Sequence, residues 1–296
     1  RDRSVSRGLG DVYKRQEPEG EAIGIIQLIH GMSEHKERYY DFMNYLSQQG
    51  YICAIHDHRG HGASVKDTSH LGYFYTNDIT YIVDDAYLVT EYLKYRYPTL
   101  NISIFSHSMG TLVSRNYLKK YEKHIEKIVL CGPPTENKLV DLALFAGKLT
   151  GLFYKEHKPN KILNRLSVGY YNKGYKTENE WICSNLQTVY EYNTDPLCGF
   201  TFTTSGFMNL FQLLKSAFIK EDWIPQNSSL PIFLIAGVDD PVIQGKQKFN
   251  ELEEFLKEVG YENIKSKLYK DKRHELLNET NKEIVYKDVL DFFYAN

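Results

Sequence analysis

Five consecutive residues, Ser106-His107-Ser108-Met109-Gly110, could hold a nucleophile at a sharp turn. An apolar run at residues 102–105 precedes them and a helical pattern at residues 111–121 follows, which places Ser108 at the apex of a strand-to-helix turn. A serine hydroxyl is a weak nucleophile at neutral pH, so it needs a base within hydrogen-bond reach and donors for the oxyanion that it creates. The pattern predicts nucleophilic catalysis at Ser108 if the rest of the chain supplies both.

The candidate base is His274. It follows a strand-like stretch at residues 264–269, and loops at the carboxyl ends of strands are where open α/β sheets place their chemistry. A helical pattern at residues 247–259 and that strand separate the histidine from two aspartates, so one crossover unit lies between base and acid.

The candidate acids are Asp239 and Asp240, which follow an apolar run at residues 232–237. We favour Asp240, because Pro241 fixes the backbone after it; Asp239 could instead be a turn residue that bonds its own backbone. The order serine, aspartate, histidine is that of α/β-hydrolase triads and differs from the orders in chymotrypsin-type and subtilisin-type proteases.

An oxyanion needs two backbone donors, one from the residue after the nucleophile and one from the loop after an early strand. The first is Met109. The early strand is expected at residues 23–29, and we assign the second donor to Met32 in the loop after it, where Gly31 allows a close approach.

Five sequence blocks together resemble the serine hydrolase family that contains monoacylglycerol lipases, bacterial lysophospholipases and related esterases. The blocks are HGMSEHKERY, DHRGHGAS, SHSMG, GVDDPV and KRHELLNE, in the order and spacing of that family from about Ile23 to the C-terminus. The chain departs from the family pattern at Ser106, where glycine is usual. A small side chain still fits there, so the departure lowers the expected efficiency more than it changes the assignment.

The resemblance implies the same roles residue by residue. Ser108 would be the nucleophile, Asp240 the acid and His274 the base, with Met32 and Met109 as oxyanion donors. It also implies an α/β-hydrolase fold: a mostly parallel sheet with helices on both faces and a helical cap.

The remaining patterns agree with an α/β class, because strands and helices alternate along the chain. Helices are predicted at residues 39–49 and 82–97, and further strands at residues 51–56 and 125–130. The alternation stops at about residue 135 and resumes near residue 230, so we assign residues 17–134 and 230–296 to the core and residues 135–229 to a cap insertion.

The cap contains two apolar clusters that could be its own core or an acyl tunnel. A tunnel would favour long chains, because each buried methylene adds about 0.8 kcal/mol. The candidate substrate-binding residues are Phe145, Phe202, Phe207 and Phe211. Contact of the cap with a membrane surface is a further expectation for a lipid substrate.

The first sixteen residues are expected to lie outside the fold. Residues 6–16, SRGLGDVYKRQ, resemble the translation of a sequencing adaptor and show no helical or strand period. Family members carry a β-hairpin before the strand at residues 23–29, and we expect that hairpin to be missing here.

Composition excludes several other functions. A net charge of −2 over 296 residues gives no electrostatic footprint for nucleic acid, and no apolar run approaches the roughly 20 residues of a membrane span. Four unevenly spaced cysteines favour free thiols and a cytoplasmic location. Three clustered histidines, His56, His58 and His61, lack a further ligand motif, so we expect neither metal nor cofactor.

Two roles remain open beside the predicted triad. Glu34 and His35 could touch the substrate or brace the oxyanion loop, and His107 is expected to pack beneath the turn rather than act as the base. The favoured function is hydrolysis of lipid-like carboxylic esters through an acyl-enzyme. The alternatives are an aminopeptidase or amide hydrolase with the same triad, and a ligand receptor without activity on the same fold.

Overall fold

A seven-stranded sheet forms the centre of the computed structural model, which describes residues 13–155 and 157–295. The strand order across the sheet is β1-β3-β2-β4-β5-β6-β7. The strands are β1 (Tyr13–Gln16), β2 (Gly24–Ile29), β3 (Tyr51–His56), β4 (Ile102–His107), β5 (Ile128–Cys131), β6 (Ile232–Gly237) and β7 (Ile264–Tyr269).

The α-helices of the described residues fall into two groups. Five connect or flank the strands: α1 (Tyr40–Gln48), α2 (Thr80–Arg96), α3 (Met109–Tyr121), α8 (Lys246–Glu258) and α9 (Lys282–Tyr294). Four lie in the insertion between β5 and β6: α4 (Val140–Gly151), α5 (Lys161–Leu166), α6 (Leu186–Thr194) and α7 (Thr204–Ala217). The expected α/β-hydrolase architecture is confirmed, with helix and strand ends that shift by a few residues.

Strands β2 to β7 are parallel, so their carboxyl ends meet at one edge of the sheet. Their central members are buried on both faces, as parallel sheets covered by helices require. Ser108 follows β4, Asp240 follows β6 and His274 follows β7, so the topology brings three distant chain segments to that edge.

Side chains of successive strand residues enter different cores. In β4, Ile104 joins the core on one face of the sheet and Phe105 joins the core on the other. The same alternation separates Ile25 from Ile26 in β2. Both faces of the sheet are therefore covered by helices, which holds the strand ends rigidly.

The strand at Tyr13–Gln16 corrects one expectation. We predicted no structure for residues 1–16, but the last four form an edge strand that pairs antiparallel with β3, Tyr13 opposite His56 and Gln16 opposite Cys53. Three of the four side chains of this strand are half-buried, which suits the edge of a sheet. Strand β3 supplies the free backbone groups with which it pairs. Residues 1–12 lie outside the described residues, and the adaptor origin stays a hypothesis.

At Gly206 the cap packs directly against the backbone of the core. A Cβ on Gly206 in α7 would lie 2.2 Å from the carbonyl oxygen of Gly72, so only glycine allows this approach. The backbone N–H and the hydroxyl of Thr203 both donate to the same Gly72 oxygen. The contact fixes the amino end of α7 over the core.

The two apolar clusters of the cap differ in burial. Phe202, Phe207 and Phe211 are buried in the core cluster that α7 shares with the sheet. On α4, by contrast, Phe145 and its apolar neighbours on the same helix face are exposed to solvent. The apolar cluster at α7 therefore packs as a core against the sheet, as one of the two alternatives predicted. Helix α4 instead presents an apolar face to solvent.

Two further expectations concern the whole chain. All four cysteines are buried and form no disulfide. None of the described helices combines the length and apolar character that crossing a bilayer demands.

Candidate active site

Ser108 occupies a strained turn between β4 and α3. Its φ of 51° and ψ of −120° lie in a region that a non-glycine residue rarely adopts. A Cβ on Gly110 would lie 2.3 Å from the carbonyl oxygen of Ile29, so α3 begins directly against the end of β2. Ser106 is fully buried and its hydroxyl donates to the Val129 carbonyl, which shows how serine fits where the family usually has glycine.

The imidazole of His274 lies beside Asp240. Nδ1 of His274 is 2.8 Å from Oδ2 of Asp240, and the other carboxylate oxygen accepts from the Val242 backbone N–H at 2.8 Å. Both side chains are buried, whereas Asp239 is exposed and makes no contact with the histidine among its described hydrogen bonds. Of the two candidate acids, the structure brings only Asp240 to the ring.

Gly132 leaves the space that this pair needs. Its φ is +57°, and a Cβ at this position would lie 3.0 Å from two ring atoms of His274 and 3.3 Å from the Asp240 carboxylate. Only glycine combines this backbone conformation with the space for His274 and Asp240. The end of β5 thus shapes the site although it contributes no reactive group.

The loop after β2 lies against Ser108. A Cβ on Gly31 would be 3.1 Å from the Ser108 Cβ, so the residue before Met32 packs directly against Ser108. Met109 is the first residue of α3, where backbone N–H groups have no partner within the helix. Within the described part of the chain neither amide has an acceptor, so both are available to an oxyanion.

Glu34 braces this loop. One carboxylate oxygen accepts from the Gly31 backbone N–H at 2.6 Å and from the Tyr39 hydroxyl at 2.8 Å, and the other accepts from Arg38 at 3.0 Å. Arg38 also makes two hydrogen bonds of 2.6 Å to Glu275, the residue after His274. Although Glu34 also borders the cavity described below, its bonds favour the bracing role that the sequence left open.

His107 lies between Glu34 and His274. Its Nδ1 is 3.1 Å from Glu34 and its Nε2 is 3.3 Å from the His274 carbonyl oxygen. Both partners accept hydrogen bonds, so an imidazolium satisfies them together. Burial alone would lower the pKa of His107, but the hydrogen bond and charge of Glu34 raise it above its ordinary value of 6.5.

The same pairing acts on Glu34. Its burial would raise the pKa of the carboxyl group, but the hydrogen bond and charge of His107, with the charge of Arg38, hold that pKa well below its ordinary value of 4.5. Glu34 and His107 therefore form a buried, charged pair next to Ser108. As expected, His107 packs beneath the turn and does not occupy the position of the base.

The cap is tied to the oxyanion loop through Ser33. Its carbonyl oxygen accepts from the Gly199 N–H at 2.9 Å and from the Tyr192 hydroxyl at 3.0 Å, and its own hydroxyl donates to the Phe200 carbonyl. His35 adds a second link, since its Nε2 is 2.8 Å from Asp195 of the cap. His35 thus braces the loop as well.

One group of described residues could present several metal ligands. Atoms of His35, Asp195 and Cys198 lie within 4.8 Å of one another. Both nitrogens of His35 face carboxylates, however, and burial raises the pKa of the Cys198 thiol. A metal requires a thiolate and a free imidazole nitrogen, so the present arrangement suits hydrogen bonding.

The three clustered histidines pack edge to face, with ring centroids 5.2 Å apart for His56 and His58 and 6.1 Å apart for His58 and His61. His61 supports the oxyanion loop, because its Nε2 accepts from the Ser33 N–H at 3.1 Å. Nε2 of His58 lies 3.1 Å from the His30 carbonyl, and both ring nitrogens of His56 lack a partner among the described residues. Burial lowers the pKa of His56 to about 4 and that of His58 and His61 to about 3, so these rings are neutral.

A cavity of about 60 Å³ contains both Ser108 and His274. The cap closes it with polar and aromatic side chains, including Asn172, Asn179, Trp181 and Phe200. Among its described lining residues are none of the four expected phenylalanines, Phe145, Phe202, Phe207 and Phe211. The expectation was wrong in placing them there, because three pack into the core and Phe145 points to solvent.

The sequence analysis did not identify three residues that shape the site: the pair Arg38 and Glu275, and Trp181. Arg38 and Glu275 lie in two of the matched blocks, but nothing in their spacing predicts that they pair across 237 positions. Trp181 lies in the insertion, and its ring centroid is 5.3 Å from that of His274. The one feature of the sequence that could have drawn attention to this residue is that the chain has only two tryptophans.

The Glu34–His107 pair predicts a pH-dependent effect of Glu34→Gln. The lowered pKa of Glu34 stabilises the fold above about pH 4.5 and ceases to do so as the pH falls through the folded-state value. The raised pKa of His107 stabilises the fold below about pH 6.5 and ceases to do so as the pH rises through its folded-state value. We expect the variant to lose about 3 to 5 kcal/mol of unfolding free energy near pH 5.5, and less at pH 9.

Urea unfolding at a series of pH values measures this difference. Glu37→Gln is the matched control on the same loop; its partly exposed side chain should contribute no more than about 1 kcal/mol. A loss in Glu34→Gln that does not change with pH would contradict the charged pair.

Comparisons with known proteins agree with this geometry. The chain is similar to a monoacylglycerol lipase of Mycolicibacterium smegmatis, 23% identical over 98% of this chain and 94% of the relative. It is 25% identical to a monoglyceride lipase homolog of Monkeypox virus, over 90% and 87% of the two chains. A thermostable carboxyl esterase from Bacillus coagulans, solved in complex with glycerol, superimposes with a TM-score of 0.87 at 25% identity, over 95% and 92% of the two chains. The family model described as serine aminopeptidase S33 matches residues 20–281, and the chain therefore belongs to this family of α/β-hydrolases.

Proposed function

We propose that the protein hydrolyses carboxylic esters of lipid-like substrates through an acyl-enzyme on Ser108. The observation that carries this proposal is the convergence of Ser108, at its strained turn, with the hydrogen-bonded His274–Asp240 pair in one cavity. Met109 follows Ser108 directly and Met32 follows Gly31, which packs against Ser108; neither amide has an acceptor among the described residues.

Each group has a defined role in this mechanism. Asp240 accepts from Nδ1–H of His274, so Nε2 is left without a proton and can take the proton of the Ser108 hydroxyl. The serine oxygen attacks the ester carbonyl, and the amides of Met32 and Met109 stabilise the oxyanion. His274 then returns the proton to the leaving alcohol, and water releases the acid by the same route.

The relatives support an ester of a lipid. Two of them carry names of monoacylglycerol or monoglyceride lipases, and the superimposed carboxyl esterase was solved with glycerol. Monoacylglycerols and lysophospholipids both combine a long acyl chain with a polar alcohol. The polar lining of the cavity near Asn172 and Asn179 suits such an alcohol.

An amide hydrolase remains the second candidate, because the family description names aminopeptidases. An aminopeptidase needs a carboxylate for the free amine of its substrate. Glu34 is committed to four hydrogen-bond partners, whereas Glu178 borders the cavity with an exposed side chain. Glu178 is therefore the residue on which this alternative depends.

The cap also has the surface of a lipid-binding element. Leu142, Phe145, Leu149 and Leu152 follow helical spacing along α4 and are all exposed, as is Phe153 at 86%. An outward apolar face of this kind marks an interaction surface. Five exposed cations lie in the same stretch of the chain: Lys148, Lys155, Lys158, Lys161 and Arg165. We infer that this face rests on anionic lipid, which would bring substrate to the cavity.

A fluorophosphonate probe and a set of esters test the proposed reaction. We expect the wild type to be labelled and to cleave p-nitrophenyl esters and 1-monoacylglycerol, and Ser108→Ala to lose labelling and about 10⁶-fold in kcat while its far-ultraviolet spectrum is retained. Absence of labelling in the wild type would favour the alternative that the protein is a ligand receptor without activity. Faster turnover of amino-acid p-nitroanilides than of esters, lost in Glu178→Gln, would favour the aminopeptidase.

Substitutions at the two aspartates test the role of the acid. Asp240→Asn should lower kcat on the order of 10⁴-fold, because an amide holds the wrong tautomer of His274. Asp239→Asn is the matched control and should change kcat little, since Asp239 is exposed. Steady-state kinetics on one ester suffice, and the reverse pattern would assign the acid to Asp239.

Vesicle binding tests the lipid surface. Replacing both Leu152 and Phe153 by serine should weaken co-sedimentation with phosphatidylglycerol vesicles by about 10-fold or more, because several buried methylenes are lost. Hydrolysis of a water-soluble short-chain ester should not change. Leu88→Ser is the control, because Leu88 is also exposed, at 59%, but lies on α2; an equal loss of binding in both variants would contradict a cap-specific contact.

A further inference from the structure

Trp181 contributes a hydrogen-bond donor next to the base. Its indole lies against the His274 imidazole, with ring centroids 5.3 Å apart and planes tilted by 40°. It lines the same cavity as Ser108 and is only 6% exposed. Because His274 must return its proton to the leaving alcohol, a group beside the ring of His274 is near the path of that alcohol.

The position of Trp181 is held by the two neighbours of His274. Arg273 donates to the carbonyl oxygens of Glu180 and Cys183, at 2.6 and 3.0 Å. The Glu275 backbone N–H donates to the Ile182 carbonyl at 2.7 Å. The loop that carries the base therefore also fixes the turn that carries the indole.

The donor of this fixed indole is unused. Nε1 of Trp181 is buried, and no residue of the described chain accepts a hydrogen bond from it. The other tryptophan, Trp223, is equally buried but donates to the Ala217 carbonyl at 3.3 Å. Buried polar groups in folded proteins are nearly always paired, so an unused donor beside the proposed base is one that a substrate can pair.

The surroundings indicate which part of a substrate supplies the acceptor. Asn172 and Asn179 line the same cavity and Glu178 borders it, so the region beside Trp181 is rich in polar groups. Each amide already uses one end within the protein, since Asn172 Oδ1 accepts from the Asn179 N–H and Asn179 Nδ2 donates to Asn193. An alkyl chain could not bond to their other polar ends, whereas hydroxyl groups can. The leaving alcohol, not the acyl chain, fits this side of the cavity.

We propose that the Trp181 Nε1–H donates a hydrogen bond to a hydroxyl oxygen of the leaving alcohol and thereby selects esters of polyhydroxy alcohols over simple alkyl esters. The inference rests on the ester hydrolysis proposed above. It assigns Trp181 as a specificity-determining residue that touches the substrate.

A cycle of two enzymes and two substrates isolates this hydrogen bond. The substrates are the 1-glyceryl and the propyl ester of one fatty acid, which differ only in hydroxyl groups, and the variant is Trp181→Phe, which retains a ring. We expect kcat/KM for the glyceryl ester to fall about 10-fold in the variant, and that for the propyl ester to fall less than about threefold. Trp223→Phe is the matched control and should keep the wild-type preference.

Equal losses on both esters, or no preference in the wild type, would overturn the proposal. If Trp181→Phe does not fold, tryptophan fluorescence of the wild type replaces it, because Trp223 lies away from the cavity. 1-O-butylglycerol should then shift the emission at lower concentration than butyl propyl ether, and equal effects would overturn the proposal. A wild type that cleaves neither ester would refute the proposed function, while the fluorescence comparison would still test the donor.

Discussion

A single buried carboxylate, that of Glu34, connects the parts of this site. It holds the oxyanion loop through the Gly31 amide, the start of α1 through the Tyr39 hydroxyl, and the turn beneath the nucleophile through His107. Through Arg38 it reaches Glu275, next to the base. A charge buried to this degree is tolerated only when every oxygen is paired, so any movement of one partner leaves an uncompensated charge. The strand ends are thereby held in one arrangement.

The cap is connected to the same loops. Ser33 links the oxyanion loop to Gly199 and Tyr192, and the residues on either side of His274 hold the turn that carries Trp181. Residues of the cap line the cavity of about 60 Å³ at Ser108 and His274, so the cap covers this end of the sheet. A cap that excludes water strengthens the electrostatic interactions beneath it.

Two surfaces of the cap have opposite chemistry. On its inner side Asn172, Asn179 and Trp181 line the cavity, and on its outer side Phe153 and the apolar face of α4 are exposed to solvent. An enzyme for lipid esters requires both, since the alcohol of its substrate is polar and the acyl chain is not. The proposed donor Trp181 would contact the alcohol of the substrate, whereas the proposed lipid surface would hold the protein on the lipid that contains the substrate.

The sequence alone was sufficient for the order of the elements and for the strand ends at which the candidate residues lie. Strand and helix periods are local, so the parallel sheet and the positions of Ser108, Asp240 and His274 after its strands could be predicted from apolar runs and turn chemistry. Resemblance in five blocks indicated the family, which the match over residues 20–281 confirmed. The pairing of β1 with β3, the pairing of Arg38 with Glu275 and the contact of Trp181 with His274 could not be predicted in this way. These contacts join residues that are far apart in the chain, and no local period encodes them. The phenylalanines of the cap show the same limit: helical spacing marks an apolar face, but only tertiary packing decides whether that face meets the core, the cavity or the solvent.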